Sequence, residues 1–120
     1  MKALTNKEEE VMKILWQLGA GFVKDILAAY SGLSEPPHYN TLSTMVRNLE
    51  DKGYVSHRAY GKTHEYFPII SKDAYRAVYM EKAVSDFFSD SYAGLVSQFA
   101  AEEKISVQEL REIIALIEKR

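Results

Sequence analysis

The side chains of this 120-residue chain that could do chemistry crowd into one segment, Tyr39 to Tyr66. Leu42, Met45, Val46 and Leu49 repeat at i, i+3, i+4 and i+7, which predicts a helix with one apolar stripe. Its other face presents Asn40, Thr41, Ser43, Thr44, Arg47 and Asn48. A merely solvated face would favour long Lys and Glu, which are better helix formers than Thr, Ser and Asn. Short hydrogen-bonding groups with one guanidinium suit contact with base edges or phosphates instead. Arg58 and Lys62 follow on a hairpin and suit phosphate neutralisation. This is recognition chemistry rather than bond-making chemistry.

The remaining composition argues the same way by exclusion. There is no cysteine, so disulfides, thiolate metal sites and thiol catalysis are all excluded. Asp, Glu and His do not group at a catalytic spacing, and neither a phosphate-binding glycine loop nor H-E-x-x-H occurs. Neither an enzyme nor a cofactor is expected. His38, His57 and His64 could hold a metal, but their place in the helix and hairpin makes phosphate contact the simpler role, and no metal is expected. The N-terminus M-K-A-L-T-N-K-E-E-E has no apolar signal region and no apolar run would cross a bilayer, so a cytoplasmic protein is expected. The formal charge is −2, against the basic footprint usual for a nucleic-acid binder. Residues 38–66 carry a net +1 and residues 70–120 a net −2.

The elements that must position these residues read in order. Thr5 and Glu8 form a capping box ahead of a helix to Leu18, with Val11, Ile14, Leu15 and Leu18 as its stripe and Trp16 as a packing residue. Gly19-Ala20-Gly21 stops it. Val23 to about Tyr30 is a second helix, with Ile26, Leu27 and Tyr30 inward, broken by Ser31 to Pro37. The third helix spans 38–52 and Gly53 ends it. Tyr54–Arg58 and His64–Phe67 read as two strands joined by a loop at 59–63, and Pro68 closes the second. Three helices followed by a hairpin with a basic tip describe a winged helix-turn-helix. Its third helix would enter a DNA major groove, and its wing, 54–68, would touch the backbone.

Beyond Ser71 the chain is helical and aromatic-rich, with Tyr75, Tyr79, Phe87, Phe88, Tyr92 and Phe99. A bend is expected around Ser89–Gly94, and Ser106 and Glu109 cap a last helix with Leu110, Ile113, Ile114 and Ile117 as its stripe. Such faces need a partner, and a second copy is the simplest one. The expected organisation is a DNA-binding domain at 1–70 and a helical dimerisation domain at 71–120. The fold class is mostly α with a small β-hairpin.

The chain resembles the penicillinase-repressor family of bacterial transcriptional regulators over nearly its whole length. The resemblance rests on L-T-x-x-E-x-x-V-M-x-x-L-W in the first helix and Y-N-T-L-S-T-M-V-R-N-L-E-D-K-G-Y-V in the third helix and first strand. It continues through G-K-T-H-E-Y-F-P in the wing and L-V-S-Q-F-A-A-E-E near the end. It implies a dimeric repressor of double-stranded operator DNA. Asn40, Thr41, Ser43, Thr44 and Arg47 would lie on the recognition helix, and Arg58, Lys62 and Thr63 would make the wing contacts. It also implies release through a membrane sensor protease that cuts an Asn-Phe bond. The matching bond here is Gln98-Phe99, with glutamine in place of asparagine. Copper-responsive relatives use C-terminal cysteines, which are absent here. A near-palindromic operator would receive the two third helices of the dimer. The rival reading is a winged helix used to dock another protein without specific DNA binding.

Overall fold

The structure is a computed structural model that describes residues 1–30 and 35–120. Part of the expected break after the second helix, Ser31 to Ser34, lies outside the described residues. The chain forms two compact units, Met1–Tyr75 and Arg76–Arg120.

In the first unit, α1 runs Asn6–Leu18 and starts as its sequence dictates. The Thr5 hydroxyl accepts from the Glu8 N–H at 3.1 Å, and the Glu8 carboxylate accepts from the Thr5 N–H at 2.9 Å. Gly19, at φ 81, ends the helix in a conformation open to glycine and strained for other residues. Val11, Met12, Ile14 and Leu15 face the core, whereas Leu18, expected in the same stripe, is exposed at the helix end.

The next two residues correct the sequence reading. Gly21–Phe22 is a strand, β1, and not part of a helix stop. It leads directly into α2, Val23–Ala28, which is shorter than expected; Tyr30 lies beyond the helix and is nevertheless buried. α3 spans Tyr39–Asp51, with His38 and Lys52 as flanking caps rather than helical residues. Gly53, at φ 84, turns the chain into the wing.

The wing strands are β2, Val55–Tyr60, and β3, Thr63–Pro68. The expected five-residue loop contracts to Gly61 and Lys62, because Gly61 adopts φ 63 at the first position of the turn. β3 is central in a three-stranded antiparallel sheet of order β1-β3-β2. Gly21 pairs with Tyr66 and Phe22 with Glu65, so the wing is tied to the start of α2 by backbone hydrogen bonds. A two-stranded hairpin alone is marginal in water, and this third strand answers that weakness.

One core joins these elements: Val11, Met12, Ile14 and Leu15 of α1 meet Ile26 of α2, Leu42, Val46 and Leu49 of α3, and Tyr54, Val55 and Tyr66 of the wing. Glu8 and Lys52 make a salt bridge at 2.6 Å that fastens α1 to the end of α3, and Lys52 also donates to the Ala3 carbonyl at 3.1 Å. The Trp16 indole N–H donates to the Ile70 carbonyl at 2.9 Å, and its ring lies 5.5 Å from that of Tyr75. The Tyr75 hydroxyl donates to Glu9 at 2.7 Å. These contacts carry the first unit past residue 70, to Tyr75.

α4, Lys72–Phe88, opens with the Ser71 hydroxyl accepting from the Ala74 N–H at 3.0 Å. In the second unit Ser89 and Asp90 break the helix with positive φ. Ser91 caps α5, Tyr92–Ala101, by accepting from the Gly94 N–H at 2.9 Å, so Gly94 lies in the first turn of a helix rather than at the bend. α6, Val107–Glu118, begins with the Ser106–Glu109 capping box. Within this unit Val84 is the one buried side chain among the described residues, while Phe87, Ile113, Ile114, Leu116 and Ile117 are exposed. Among the described residues no helix is long and apolar enough to cross a membrane.

Candidate nucleic-acid interface

Burial of Leu42, Val46 and Leu49 fixes the rotation of α3 and turns Asn40, Thr41, Thr44 and Arg47 to solvent, with Ser43 half-buried. Two of these side chains are steadied by the helix itself. The Thr44 hydroxyl donates to the Asn40 carbonyl at 3.1 Å, and Arg47 Nε donates to the Ser43 carbonyl at 3.3 Å. The Thr44 oxygen keeps its acceptor capacity, and Arg47 pairs with no carboxylate among the described residues.

α3, the wing and the β1–α2 junction enclose a groove of about 490 Å³. Asn40, Ser43 and Arg47 line it from α3, Lys62 and Thr63 from the wing. Five of the eight residues expected to touch DNA are thus brought together. Thr41 and Thr44 share the exposed face of α3 without lining the groove. Arg58 does not join them either. It alternates with Ser56 and Tyr60 on the sheet face opposite to His57 and Tyr66, across from Glu65, and its guanidinium lies 5.0 Å over the Phe67 ring.

The structure adds residues that the sequence reading did not single out. Phe22, Val23 and Lys24 form a third side and Tyr39 and Tyr66 extend the lining, beside His64, for which phosphate contact was already expected. Lys24 lies far in sequence from the Tyr39–Tyr66 segment; the pairing of β1 with β3 is what brings it near, and two residues of strand leave almost no sequence signal.

The electrostatics are more favourable than the sequence count. Lys24, Arg47 and Lys62 line the groove, and among the described residues no Asp or Glu does. Two acidic residues of the segment are engaged elsewhere. Glu50 accepts from His57 Nδ1 at 2.7 Å when that nitrogen is protonated, and Glu65 sits in register with Arg58. The His57 and His64 rings stack at 4.0 Å with 10° between their planes. Burial pushes the Tyr66 phenol above its ordinary value, Glu50 adds to the rise, Arg47 opposes it and Tyr39 adds a little. Tyr66 thus presents a neutral hydroxyl at physiological pH. The arrangement offers hydrogen-bond donors and fixed positive charge suited to a polyanion.

The Gln98-Phe99 bond lies inside α5, in the other unit. The Gln98 side chain donates to Glu102 at 3.1 Å, and the Phe99 carbonyl accepts from the Lys104 N–H at 2.9 Å.

Comparison with known proteins agrees with this geometry. The sequence profile described as "Penicillinase repressor" matches residues 4–119. The penicillinase repressor of Bacillus licheniformis is 24% identical over 116 residues, covering 97% of this chain and 90% of that protein. The methicillin resistance regulatory protein MecI of Staphylococcus aureus (strain N315) is 19% identical over 117 residues, covering 98% and 94%. Among solved structures, the DNA binding domain of the repressor BlaI superposes with a TM-score of 0.52 and 28% identity, covering 62% of this chain and 94% of that one. The structure of the hsRosR-S4 complex superposes at 0.54 with 21% identity, covering 86% and 91%, and speaks to the fold alone. The profile match runs from Leu4 to Lys119, nearly the whole length, and the chain belongs to the penicillinase repressor family.

Proposed function

We propose that the chain is a homodimeric transcriptional repressor that binds a near-palindromic operator through α3 and the wing. The observation that carries this reading is the groove lined by three cations and, among the described residues, by no carboxylate, in a chain whose net charge is −2. Asn40, Thr41, Ser43 and Thr44 supply hydrogen bonds to base edges and backbone, and Arg47 contacts a guanine edge or a phosphate. Lys62, Thr63 and Arg58 hold phosphates from the wing. Arg58 reaches its phosphate from the other sheet face, so it serves a neighbouring stretch of backbone.

A second copy covers the exposed apolar side chains of α4 and α6, which would otherwise remain wet. Two half-sites then add their contacts, and loss of the dimer releases the DNA. A sensor protease that cuts Gln98-Phe99 would achieve this. That bond is helical, so cleavage requires local unwinding of α5 first. Similarity to a penicillinase repressor and to the DNA binding domain of the repressor BlaI supports the same reading.

The test is selection of bound duplex from a random pool, followed by binding across a salt series. In a dimer, Arg47→Ala with Lys62→Ala removes four cations, so the slope of log affinity against log salt should fall by about 3 to 4. Unchanged operator binding by that double variant at moderate salt would sink the proposal.

A further inference from the structure

We infer that Lys24 is a further DNA-contacting residue, closing a phosphate seat opposite Lys62. This rests on the DNA-binding reading above and extends it to an element outside the recognition helix and wing. Lys24 lines the same groove as Arg47 and Lys62. It is exposed and makes no ion pair with any described residue, so its charge is not spent within the chain.

Its position is held by backbone rather than by side-chain chance. Phe22, two residues earlier, is paired to Glu65 of β3, so Lys24 keeps a fixed offset from the wing. The Lys24 ammonium lies 6.0 Å from the Phe22 ring centroid, and that ring meets Tyr60 of the wing edge-on at 5.7 Å. The aromatic pair supports the lysine stem and presents its charge toward solvent. The neighbouring anion is directed away. The Asp25 carboxylate accepts from the Phe22 N–H at 3.0 Å and does not line the groove. A phosphodiester entering beside Thr63 therefore meets cations on two sides and no carboxylate of the described residues. Recognition by Lys24 is of backbone charge, so it is indifferent to base sequence.

The test uses the full chain with two labelled duplexes, the selected operator and a scrambled one of equal length. Lys24→Gln should weaken binding to both by the same factor and lower the salt slope by about 2 for the dimer, one cation per protomer. Lys24→Arg should restore the slope, and thermal melting should be unchanged in both variants. If Lys24→Gln keeps the wild-type slope while Arg47→Ala with Lys62→Ala loses it, DNA binding stands and the role of Lys24 is overturned. If the wild-type chain shows no salt-dependent binding to either duplex, the DNA reading fails and takes this inference with it. Loss confined to the operator duplex would also overturn the seat, because it would mark Lys24 as a base reader.

Discussion

Replacing Glu8 with alanine probes how α3 is held. Glu8 is 5% exposed and does two things at once: it closes the capping box of α1 and pairs with Lys52 at the end of α3. Loss of the box removes one backbone hydrogen bond at the helix start, about 0.5–1 kcal/mol. Breaking a fully buried pair costs about 3–5 kcal/mol, but the Lys52 side chain is 26% exposed and keeps the Ala3 carbonyl, which reduces this part to about 1–2 kcal/mol. The sum, about 1.5–3 kcal/mol, corresponds to a fall in melting temperature of roughly 6–24 °C for a unit of this size. Glu8→Gln preserves the box and loses the charge, so it should lose about half as much.

The pH dependence follows from the same contacts. Burial alone would raise the Glu8 carboxyl, but the Lys52 ammonium and the Thr5 hydrogen bonds outweigh it and hold it below the usual carboxylate range. Its stabilisation is therefore complete at neutral pH and is lost as pH falls through the lowered folded-state value. The gap between wild type and Glu8→Gln should close in acid. Trp16 is the single tryptophan and lies in the first unit, so its fluorescence reports the melt. An unchanged melting temperature for Glu8→Ala, or no coupling in a double-mutant cycle with Lys52→Met, would refute the latch.

Other outcomes are expected. Gly53→Ala should destabilise by about 1–2 kcal/mol, since Gly53 holds φ 84 and a Cβ there meets nothing within 4 Å, leaving the cost in the backbone alone; urea melts measure it. Tyr30, Tyr54 and Tyr66 all have phenols pushed up, by burial first and then by Glu10, Glu8 and Glu50 respectively. Their folded form binds more protons than the unfolded one, so stability should decline as pH rises above about 10, followed by tyrosinate absorbance. Ile117→Glu, at a site 57% exposed, should leave helix content intact and halve the mass seen by sedimentation; a mass unchanged from wild type would argue against α6 as the dimer face.

Much of the first unit was legible in particular residues. Thr5 and Glu8 announced α1, the Leu42–Leu49 stripe set the rotation of α3, and Gly53 marked its end. β1 was hidden because two residues, Gly21 and Phe22, carry no periodicity, and Gly21 beside Gly19 looked like part of a stop. Lys24 was hidden with it, since only long-range pairing brings it to the groove. Arg58 was grouped with Lys62 by nearness in sequence, yet strand alternation sends it to the opposite face. Gly94 was taken for a bend because a glycine in a polar stretch suggests one; the Ser91 cap instead absorbs it into α5. The folding of each segment was local and readable, whereas the composition of the groove depended on a tertiary ladder.

β1 has one more consequence. Because Gly21 and Phe22 bond to Tyr66 and Glu65, the spacing between the α2 wall and the wing wall is set by backbone, and rotamer changes cannot widen it. A duplex seated there, as proposed, would do most of the adapting. Part of any operator preference would then reside in how easily the DNA bends or twists to fit, at base pairs that no side chain reaches.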